Sequence, residues 1–513
     1  MTRQKNELPP AIPHRLDRRS ALKGAGLALS ASLVPAVSAA QPNTQAAPAL
    51  PQSSTSNAER LIGGRTLTAI VASYASQSRA EAIPPAVRER AKKVIFDEMA
   101  CACFGRRSPA GEMTARYAAM YHSAGETRIY GTDLRAPLPY AALANGTAGH
   151  GFEVDGAHVI GGHPGASIVH AATATAELHK SSGADLINAV VLGYDIGVRM
   201  VEACGGLFAM IDRRHLQSDF LFSLGCCAAS GRLMGLSAEQ QAHAWALTTF
   251  QANGLNALFA EKHHISKSFC NGQYAFGGVS GALLASIGME GNEDIIGAKD
   301  GVLDAWGDGQ HDAAVTAGLG QAFKIMGANF KFFNAGYPIH AAIEAAMGAI
   351  TRDHIPTDTI ASIHVGMPRA ALAVVDNRAM HNICVQDMVA ANIAAGGLKL
   401  ADEPFPAMLS NPTYVRLRAA ITAGVDPDLQ RDAPEGRGAR VTIVTRDGKQ
   451  HALRVDNPRG HSLRGEISWN DLADKWRGSL PHCDVDATIR IASSLETLPQ
   501  AETLFAAFGT ARV

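Results

Sequence analysis

The sequence predicts a mainly helical protein, with a large all-helical domain into which a smaller α+β domain is inserted. Residues 86–102 and 184–203 carry apolar side chains at the spacing of amphipathic helices. Hydrophobic residues make up 47% of the 513 residues and aromatic residues only 6%, so small aliphatic side chains and 50 glycines dominate. This composition suits closely packed helices better than an all-β fold. Strands and helices do not alternate along the chain, which disfavours a nucleotide-binding α/β fold.

The smaller domain is predicted where the helical pattern gives way to alternation. Residues 359–365 alternate like a strand, and residues 440–455 combine two alternating runs with a turn, as in a β-hairpin. A chain of this length exceeds one ordinary core. We therefore expect a helical domain over 61–323, the inserted domain over 324–457, and C-terminal helices over 458–513 that return to the helical domain.

The N-terminal residues 1–40 have the parts of a secretory signal peptide. Basic residues precede an apolar run over 25–37, which ends in small residues typical of a cleavage site. The pair Arg18 and Arg19 resembles a twin-arginine signal, which predicts a periplasmic protein. A chance arginine pair before a core helix is the alternative. The run is too short to span a bilayer, and a polar linker over 41–60 follows it, which favours the signal.

Charge and cysteine usage exclude several classes of partner. The formal net charge is −1, and no basic run follows the signal, so neither nucleic acid nor a membrane surface is an expected partner of the mature protein. Any anionic substrate must meet a local cluster of cations. The eight cysteines are irregularly spaced in helix-like stretches, where we expect buried thiols rather than disulfides.

The densest polar cluster lies in the Gly-rich segment 150–164, with three histidines and two carboxylates: His150, Glu153, Asp155, His158 and His163. Pro164 suits the first turn of a helix, which would place His163 at a helix N-terminus that favours an anion. We interpret the segment as a carboxylate-binding acid/base loop. A solvated polar loop is one alternative. A metal site is another, but the spacing matches no standard zinc or two-histidine-one-carboxylate pattern.

Two further clusters combine lysine with histidine. Segment 261–268 contains Lys267, whose cation could clamp a substrate carboxylate, although a solvated loop is the better interpretation for its Lys262 and His263. Segment 331–340 begins with Lys331 and ends with His340 around a Tyr-Pro turn, and a linker between domains is the alternative there.

These three clusters occur in the order and near the spacing seen in the MmgE/PrpD family, which the chain resembles over about 61–508. That family includes 2-methylcitrate dehydratases, cis-aconitate decarboxylases and an iminodisuccinate epimerase. Supporting motifs are Phe96-Asp97, the His-Pro-Gly at 163–165, the Gly-Tyr-Asp helix at 193–199, Lys267-Ser268-Phe269 and Lys475-Trp476.

The resemblance implies a lid-like smaller domain, a site between the two domains, and a homodimer. Carried over residue by residue, it implies catalytic roles for His163, Glu153, Asp155, Lys267 and Lys331. It places His158, His340 and His215 as candidate substrate-binding residues, His215 being the nearest candidate for a family histidine.

Four positions depart from the family pattern, so the resemblance leaves the substrate open. Gln217 stands where a catalytic histidine is usual, and Cys270 stands where a histidine follows the lysine. Gly336 falls at a usual His or Cys, and Asp387 at an expected tyrosine.

The chemistry implied is that of a carbanion next to a carboxylate. Lys267 and Lys331 would stabilise an enediolate-like state, and His163 would move the proton with Glu153 or Asp155 as its partner. We therefore expect a lyase, a dehydratase or decarboxylase, acting on a small di- or tricarboxylate without metal or organic cofactor. An epimerase on the same fold is the alternative within the family.

Two further classes stay open. One is a metal-dependent hydrolase built on His150, Asp155, His158 and His163. The other is a non-catalytic periplasmic carboxylate-binding protein, which the four departures from the family pattern suggest.

Overall fold

The computed structural model describes residues 60–121, 126–433, 436–480 and 483–509. The predicted signal peptide and all but the last residue of the predicted linker lie outside the described residues. All eight cysteines lie within them as free thiols, and six of them are buried. No helix among the described residues is both long enough and apolar enough to cross a bilayer.

Helices dominate the described residues, which confirms the predicted mainly helical fold. Before residue 324 they are α1 (Leu67–Gln77), α2 (Pro85–Gly105), α3 (Pro109–Ala119), α4 (Leu138–Gly149), α5 (Pro164–Leu178), α6 (Gly183–Ala203), α7 (Gly206–Arg214), α8 (Phe222–Met234), α9 (Ala238–Thr249), α10 (Ser266–Ser286) and α11 (Val302–Trp306). After it they are α12 (His340–Asp353), α13 (Arg369–Val375), α14 (Val385–Ala395), α15 (Pro412–Ala420), α16 (Pro427–Arg431), α17 (Trp469–Trp476), α18 (Val485–Ser493) and α19 (Glu502–Gly509).

Strands are few and mostly short. Three two-residue pairs are β1 (Leu61–Ile62) with β2 (Arg65–Thr66), β3 (Thr127–Arg128) with β4 (Arg135–Ala136), and β5 (Ala157–His158) with β6 (Ala328–Asn329). The remaining strands are β7 (Ile360–Met367), β8 (Ile421–Val425), β9 (Ala439–Thr445) and β10 (Gln450–Val455), which form one sheet in the order β10-β9-β7-β8.

The larger hydrophobic core lies among α2, α5, α6, α8 and α10, and small residues allow these helices to approach closely. A methyl group added at Gly225 of α8 would overlap the carbonyl oxygen of Gly193 in α6. Such contacts explain why the composition is rich in Gly and Ala. The C-terminal helices α17–α19 contribute Trp476, Phe505 and Phe508 to this same core.

The smaller core lies between the four-stranded sheet and helices α12 and α14. Strands β9 and β10 pair antiparallel, with Arg440 opposite Arg454, which confirms the predicted hairpin. Strand β7 pairs antiparallel with β9 and parallel with β8. Alternate residues of β9, Ala439, Val441 and Ile443, are fully buried, because successive side chains of a strand point to opposite faces.

A buried ion pair fastens the C-terminal helices to α2. The carboxylate of Asp97 in α2 accepts hydrogen bonds from Nζ of Lys475 at 2.8 Å and from Nε1 of Trp476 at 2.7 Å. Nζ of Lys475 also donates to the carbonyl oxygen of Val154 at 3.1 Å. Two motifs that lie 378 residues apart, Phe96-Asp97 and Lys475-Trp476, thus meet at the segment that carries the His-rich cluster.

Replacing Lys475 by Met should therefore destabilise the protein strongly. The substitution keeps most of the side-chain volume but leaves the buried Asp97 carboxylate without its counter-charge, which typically costs about 3–5 kcal/mol. Urea unfolding measures the loss. Lys449→Met is the control, because Lys449 and its partner Asp447 are exposed and their ion pair should not contribute measurably. Equal stability of the two variants would contradict the structural role of Lys475.

Candidate active site

The His-rich loop (150–163) runs from the C-terminus of α4 to the N-terminus of α5. His150 caps α4, and His163 immediately precedes Pro164, the first residue of α5, as the sequence predicts. The pairing of Ala157 with Asn329 holds the loop against β6 and so brings it beside Lys331. Glu153 has a φ of 57°, a left-handed backbone that is uncommon for a non-glycine residue and is often found at functional sites.

The Glu153 carboxylate is the centre of the cluster. It is almost completely buried and accepts a hydrogen bond from Nζ of Lys331 at 2.6 Å, while Nζ of Lys267 forms a second, very short ion pair with it. Nε2 of His264 lies 2.9 Å from the same oxygen that Lys267 contacts. Lys331 also donates to the backbone carbonyl of Glu153 at 3.0 Å. Residues from two other parts of the chain, 264–267 and Lys331, thus converge on one carboxylate.

Asp155 holds the two histidines at the ends of the loop. Nδ1 of His150 lies 2.9 Å from its carboxylate, and Nδ1 of His163 lies 3.0 Å from it. The two imidazole rings have centroids 4.3 Å apart. Because Nδ1 of His163 is bound to Asp155 and near the carbonyl of Gly156, Nε2 is the nitrogen left for chemistry.

A hydrogen bond between Lys267 and His150 limits how many protons the two side chains can hold. Nζ of Lys267 lies 2.5 Å from Nε2 of His150. At this distance only one proton fits between the two nitrogens. Either Lys267 is an ammonium and Nε2 of His150 has no hydrogen, or Nε2 of His150 is protonated and Lys267 is a neutral amine. The pair can therefore deliver or receive one proton.

The charges of the cluster follow from burial and from these contacts. Burial opposes ionisation of Glu153, but Lys267 and Lys331 outweigh it and hold the pKa of Glu153 well below its usual value. Burial also opposes ionisation of Asp155, yet His150 and Lys331 keep its pKa low. Burial disfavours the ammonium of Lys331, but Glu153 raises the pKa of Lys331. The two carboxylates and Lys331 are therefore charged.

The histidines differ in protonation. Burial lowers the pKa of His163, and the nearby Asp155 compensates only in part. Burial lowers the pKa of His264 to about 4. For His150, burial is opposed by Asp155 and Glu153, and the net effect raises its pKa. His163 is thus a neutral imidazole near pH 7, the form that accepts a proton.

A cavity opens in front of the cluster, between the larger core and the smaller one. It encloses about 790 Å³ including its mouth, and Glu153, His163 and Lys267 are among the residues that line it. The turn before α12, with Gly336, Tyr337 and Pro338, forms part of the opposite wall.

The structure brings together all five residues for which catalytic roles were predicted: His163, Glu153, Asp155, Lys267 and Lys331. Lys331 is fully buried and lies behind Glu153 rather than on the cavity wall.

The predicted substrate-binding histidines are dispersed. His158 lines the cavity, but its Nε2 is bound to the carbonyl of Lys324 at 2.8 Å, and burial lowers its pKa to about 4. His340 is buried, off the cavity wall, with Nε2 3.1 Å from the carbonyl of Ala335. His215 is exposed at the end of α7 and does not line the cavity.

Four residues of the site were not among the predicted catalytic or substrate-binding residues. His150 and His264 belong to clusters that the sequence singled out, and their spacing to Asp155 and Lys267 was the available signal. Asp219 and Arg437 line the cavity from isolated positions that no motif marks.

Three of the four departures from the family pattern face the cavity: Gln217, Cys270 and Gly336. Burial raises the pKa of the Cys270 thiol to about 12, so it stays neutral. Asp387 lies elsewhere, bound by His381 at 2.7 Å and by Arg418.

The cluster contains residue types that bind metal ions, but its lysines already supply positive charge. Ligand atoms of His150, Glu153, Asp155 and His163 lie within 4.8 Å of one another. A divalent cation among them would lie close to the ammonium group of Lys331, which raises its electrostatic cost. The lysines supply the charge that a metal would otherwise supply.

Fold, site and sequence comparisons together define the class of protein as an enzyme, a lyase of the dehydratase or decarboxylase type at the level of its family. The chain belongs to the MmgE/PrpD family. The model of the MmgE/PrpD N-terminal domain matches residues 69–315, and that of the MmgE/PrpD C-terminal domain matches residues 333–496. These matches confirm the resemblance inferred from the three clusters.

Curated relatives include cis-aconitate decarboxylases. The human enzyme is 25% identical over 444 residues, which cover 82% of this chain and 89% of the human protein. The Aspergillus terreus enzyme is 25% identical over 445 residues, covering 80% and 87%. The mouse enzyme is 24% identical over 453 residues, covering 81% and 88%.

Removal of metal should leave the protein unchanged, because lysines neutralise the Glu153 carboxylate. Protein dialysed against a chelator should keep its melting temperature and its enzymatic activity. Elemental analysis before dialysis should find far less than one equivalent of metal. One equivalent of bound zinc, with activity lost on dialysis and restored by zinc, would instead support the metal-dependent hydrolase.

Proposed function

We propose that this protein is a lyase that generates a carbanion next to the carboxylate of a small carboxylic acid and then eliminates a neighbouring group. The observation that carries the proposal is the neutral His163, which lines the cavity beside the buried Glu153–Lys267–Lys331 cluster. A weak carbon acid needs a base together with fixed positive charge for the developing enediolate, and this arrangement supplies both.

His163 is the proposed base. Its Nδ1 is held by Asp155, which orients the ring and stabilises the imidazolium formed when Nε2 takes a proton. Lys267 is the proposed electrostatic catalyst, since its ammonium lies on the cavity wall. It contacts Glu153 and His150, which leaves a third N–H for the substrate carboxylate.

Lys331 is proposed as a positioning residue rather than a group that touches substrate. It binds the side chain and the backbone carbonyl of Glu153 and so fixes the left-handed turn. Glu153 in turn places the ammonium of Lys267.

The group that leaves decides the reaction within this scheme. Transfer of the abstracted proton from His163 to a neighbouring hydroxyl, which then leaves as water, restores the neutral base and gives a dehydratase. Loss of carbon dioxide from the carbon gives the same carbanion and a decarboxylase. Return of the proton to the opposite face gives an epimerase, which is the alternative.

We also propose export by the twin-arginine route, on the Arg18–Arg19 pair, and assembly as a homodimer, on the family resemblance. Cell fractionation and light scattering of the purified protein test these two proposals.

Proton exchange in deuterium oxide, followed by NMR with a panel of carboxylic acids, tests the lyase. Wild-type protein should place deuterium on a carbon next to a carboxylate. His163→Gln and Lys267→Met should reduce the rate by about 10²-fold or more, since each removes a base or a charge acting in the transition state.

His215→Gln is the matched control for that assay, because His215 is exposed and off the cavity wall. It should retain the wild-type rate. Binding of an acid without exchange or product would favour the non-catalytic binding protein.

In the exchange reaction, kcat/KM should decrease at acid pH, and the midpoint of this decrease, the acid limb of the profile, should lie below pH 6.5. The active form of His163 is neutral and its pKa is lowered by burial, so kcat/KM should be constant above the limb and fall as the pH drops through the lowered pKa. Asp155→Asn removes the carboxylate that raises this pKa and should shift the limb to lower pH. A limb above pH 6.5, or one that Asp155→Asn leaves in place, would rule out His163 as the base.

A further inference from the structure

Part of the cavity wall is apolar, and the proposed chemistry does not use it. Side chains from α7, from the turn before α10 and from the smaller α+β part form this wall: Leu207, Phe208, Ile211, Leu258, Phe259 and Ile383. A wall of this kind accepts a hydrophobic group of the ligand by removing its surface from water.

The charges on the cavity lining balance. Among the described lining residues the cations are Lys267 and Arg437, and the anions are Glu153 and Asp219, while burial keeps the two lining histidines neutral. Because the lining has no net positive charge, each carboxylate of a ligand adds an uncompensated negative charge, which favours a ligand with one carboxylate over a ligand with two or three.

Arg437 lines the cavity and also supports its apolar wall. Its guanidinium is almost completely buried, lies 5.5 Å from the ring centroid of Phe208, and donates to the carbonyl of Val159 at 3.2 Å. These contacts fix the guanidinium in the wall beside Phe208.

Asp219 adds a second constraint on the ligand. One of its carboxylate oxygens accepts the backbone N–H of His163 at 3.0 Å. The other is buried and has no hydrogen-bond partner among the described residues. A buried carboxylate oxygen of this kind suits a hydroxyl donor from the ligand and repels a further carboxylate.

The cavity positions that depart from the family pattern add no positive charge. The amide of Gln217 is engaged with Asn256, the Cys270 thiol is neutral, and Gly336 has no side chain.

We propose that the substrate is a hydroxy acid with one carboxylate and an apolar substituent, rather than the di- or tricarboxylate that the sequence suggested. The carboxylate binds Lys267, the hydroxyl binds the unpartnered oxygen of Asp219, and the apolar substituent packs against Phe208 and Phe259. This inference rests on the proposed lyase function, because it assumes that the reacting carbon of the substrate lies beside His163 and Lys267.

A matched pair of ligands tests the assignment: 3-hydroxyhexanoate and 3-hydroxyadipate, which differ only in a terminal methyl group or carboxylate. Titration calorimetry on the full mature protein should show the monoacid binding at least tenfold more tightly, because the apolar wall leaves a second carboxylate unpaired. Citrate and cis-aconitate, measured in the same way, should bind more weakly than the monoacid.

Two arginine variants locate the effect. Phe259→Arg places a cation on the apolar wall and should reverse the preference towards 3-hydroxyadipate. Phe250→Arg introduces the same group at a side chain that is 88% exposed and off the cavity wall, and should leave the preference unchanged. Melting temperatures of both variants confirm folding.

The outcomes separate this inference from the proposed function. Tighter binding of 3-hydroxyadipate, citrate or cis-aconitate, or no binding of the monoacid, overturns the substrate class. Deuterium exchange into one of those polyacids would then leave the lyase intact. Preferred binding of the monoacid without exchange would support the substrate class and overturn the lyase.

Discussion

The carboxylate of Glu153, buried in a left-handed turn, is the constraint on which the site depends. A buried carboxylate without counter-charge would be unstable by several kcal/mol, and the backbone conformation adds about 1–3 kcal/mol. Lys267 from α10 and Lys331 from the segment after β6 supply the missing charge. Because these partners are far apart in the chain, the charge balance of one side chain ties the loop, α10 and the start of the smaller part together.

Two further acids, Asp97 and Glu98, lie beneath the His-rich loop and add little negative charge to the site. Burial, together with the neighbouring Asp155 and Asp97, raises the pKa of Glu98 well above its usual value, so that Glu98 is a neutral acid. It accepts the N–H of Gly156 and so supports the loop without a charge. Asp97 instead has Lys475 as its counter-ion. Of these two acids beneath the loop, the pKa of Glu98 is raised and Asp97 has a cation.

The family and the cavity answer different questions about function. Membership of the MmgE/PrpD family rests on matches to both domains. The proposed chemistry belongs to the cluster around Glu153, whereas the proposed substrate class follows from the rest of the lining, where Gln217, Cys270 and Gly336 are uncharged. Identity of about 25% to cis-aconitate decarboxylases supports the type of reaction at the level of the family.

The sequence by itself determined the helical class and the hairpin at β9–β10, because periodicity carries that information, and it predicted the five residues of the cluster from local motifs together with the family resemblance. Helix and strand periods are properties of neighbouring residues, and Glu153, Asp155 and His163 lie within one loop. Only the tertiary structure decided that His264 reaches Glu153 while His263 is exposed, and that Lys331 lies behind the carboxylate. It also brought Asp219 and Arg437 to the cavity and left His215 outside. These outcomes depend on how distant helices pack, which no local spacing specifies.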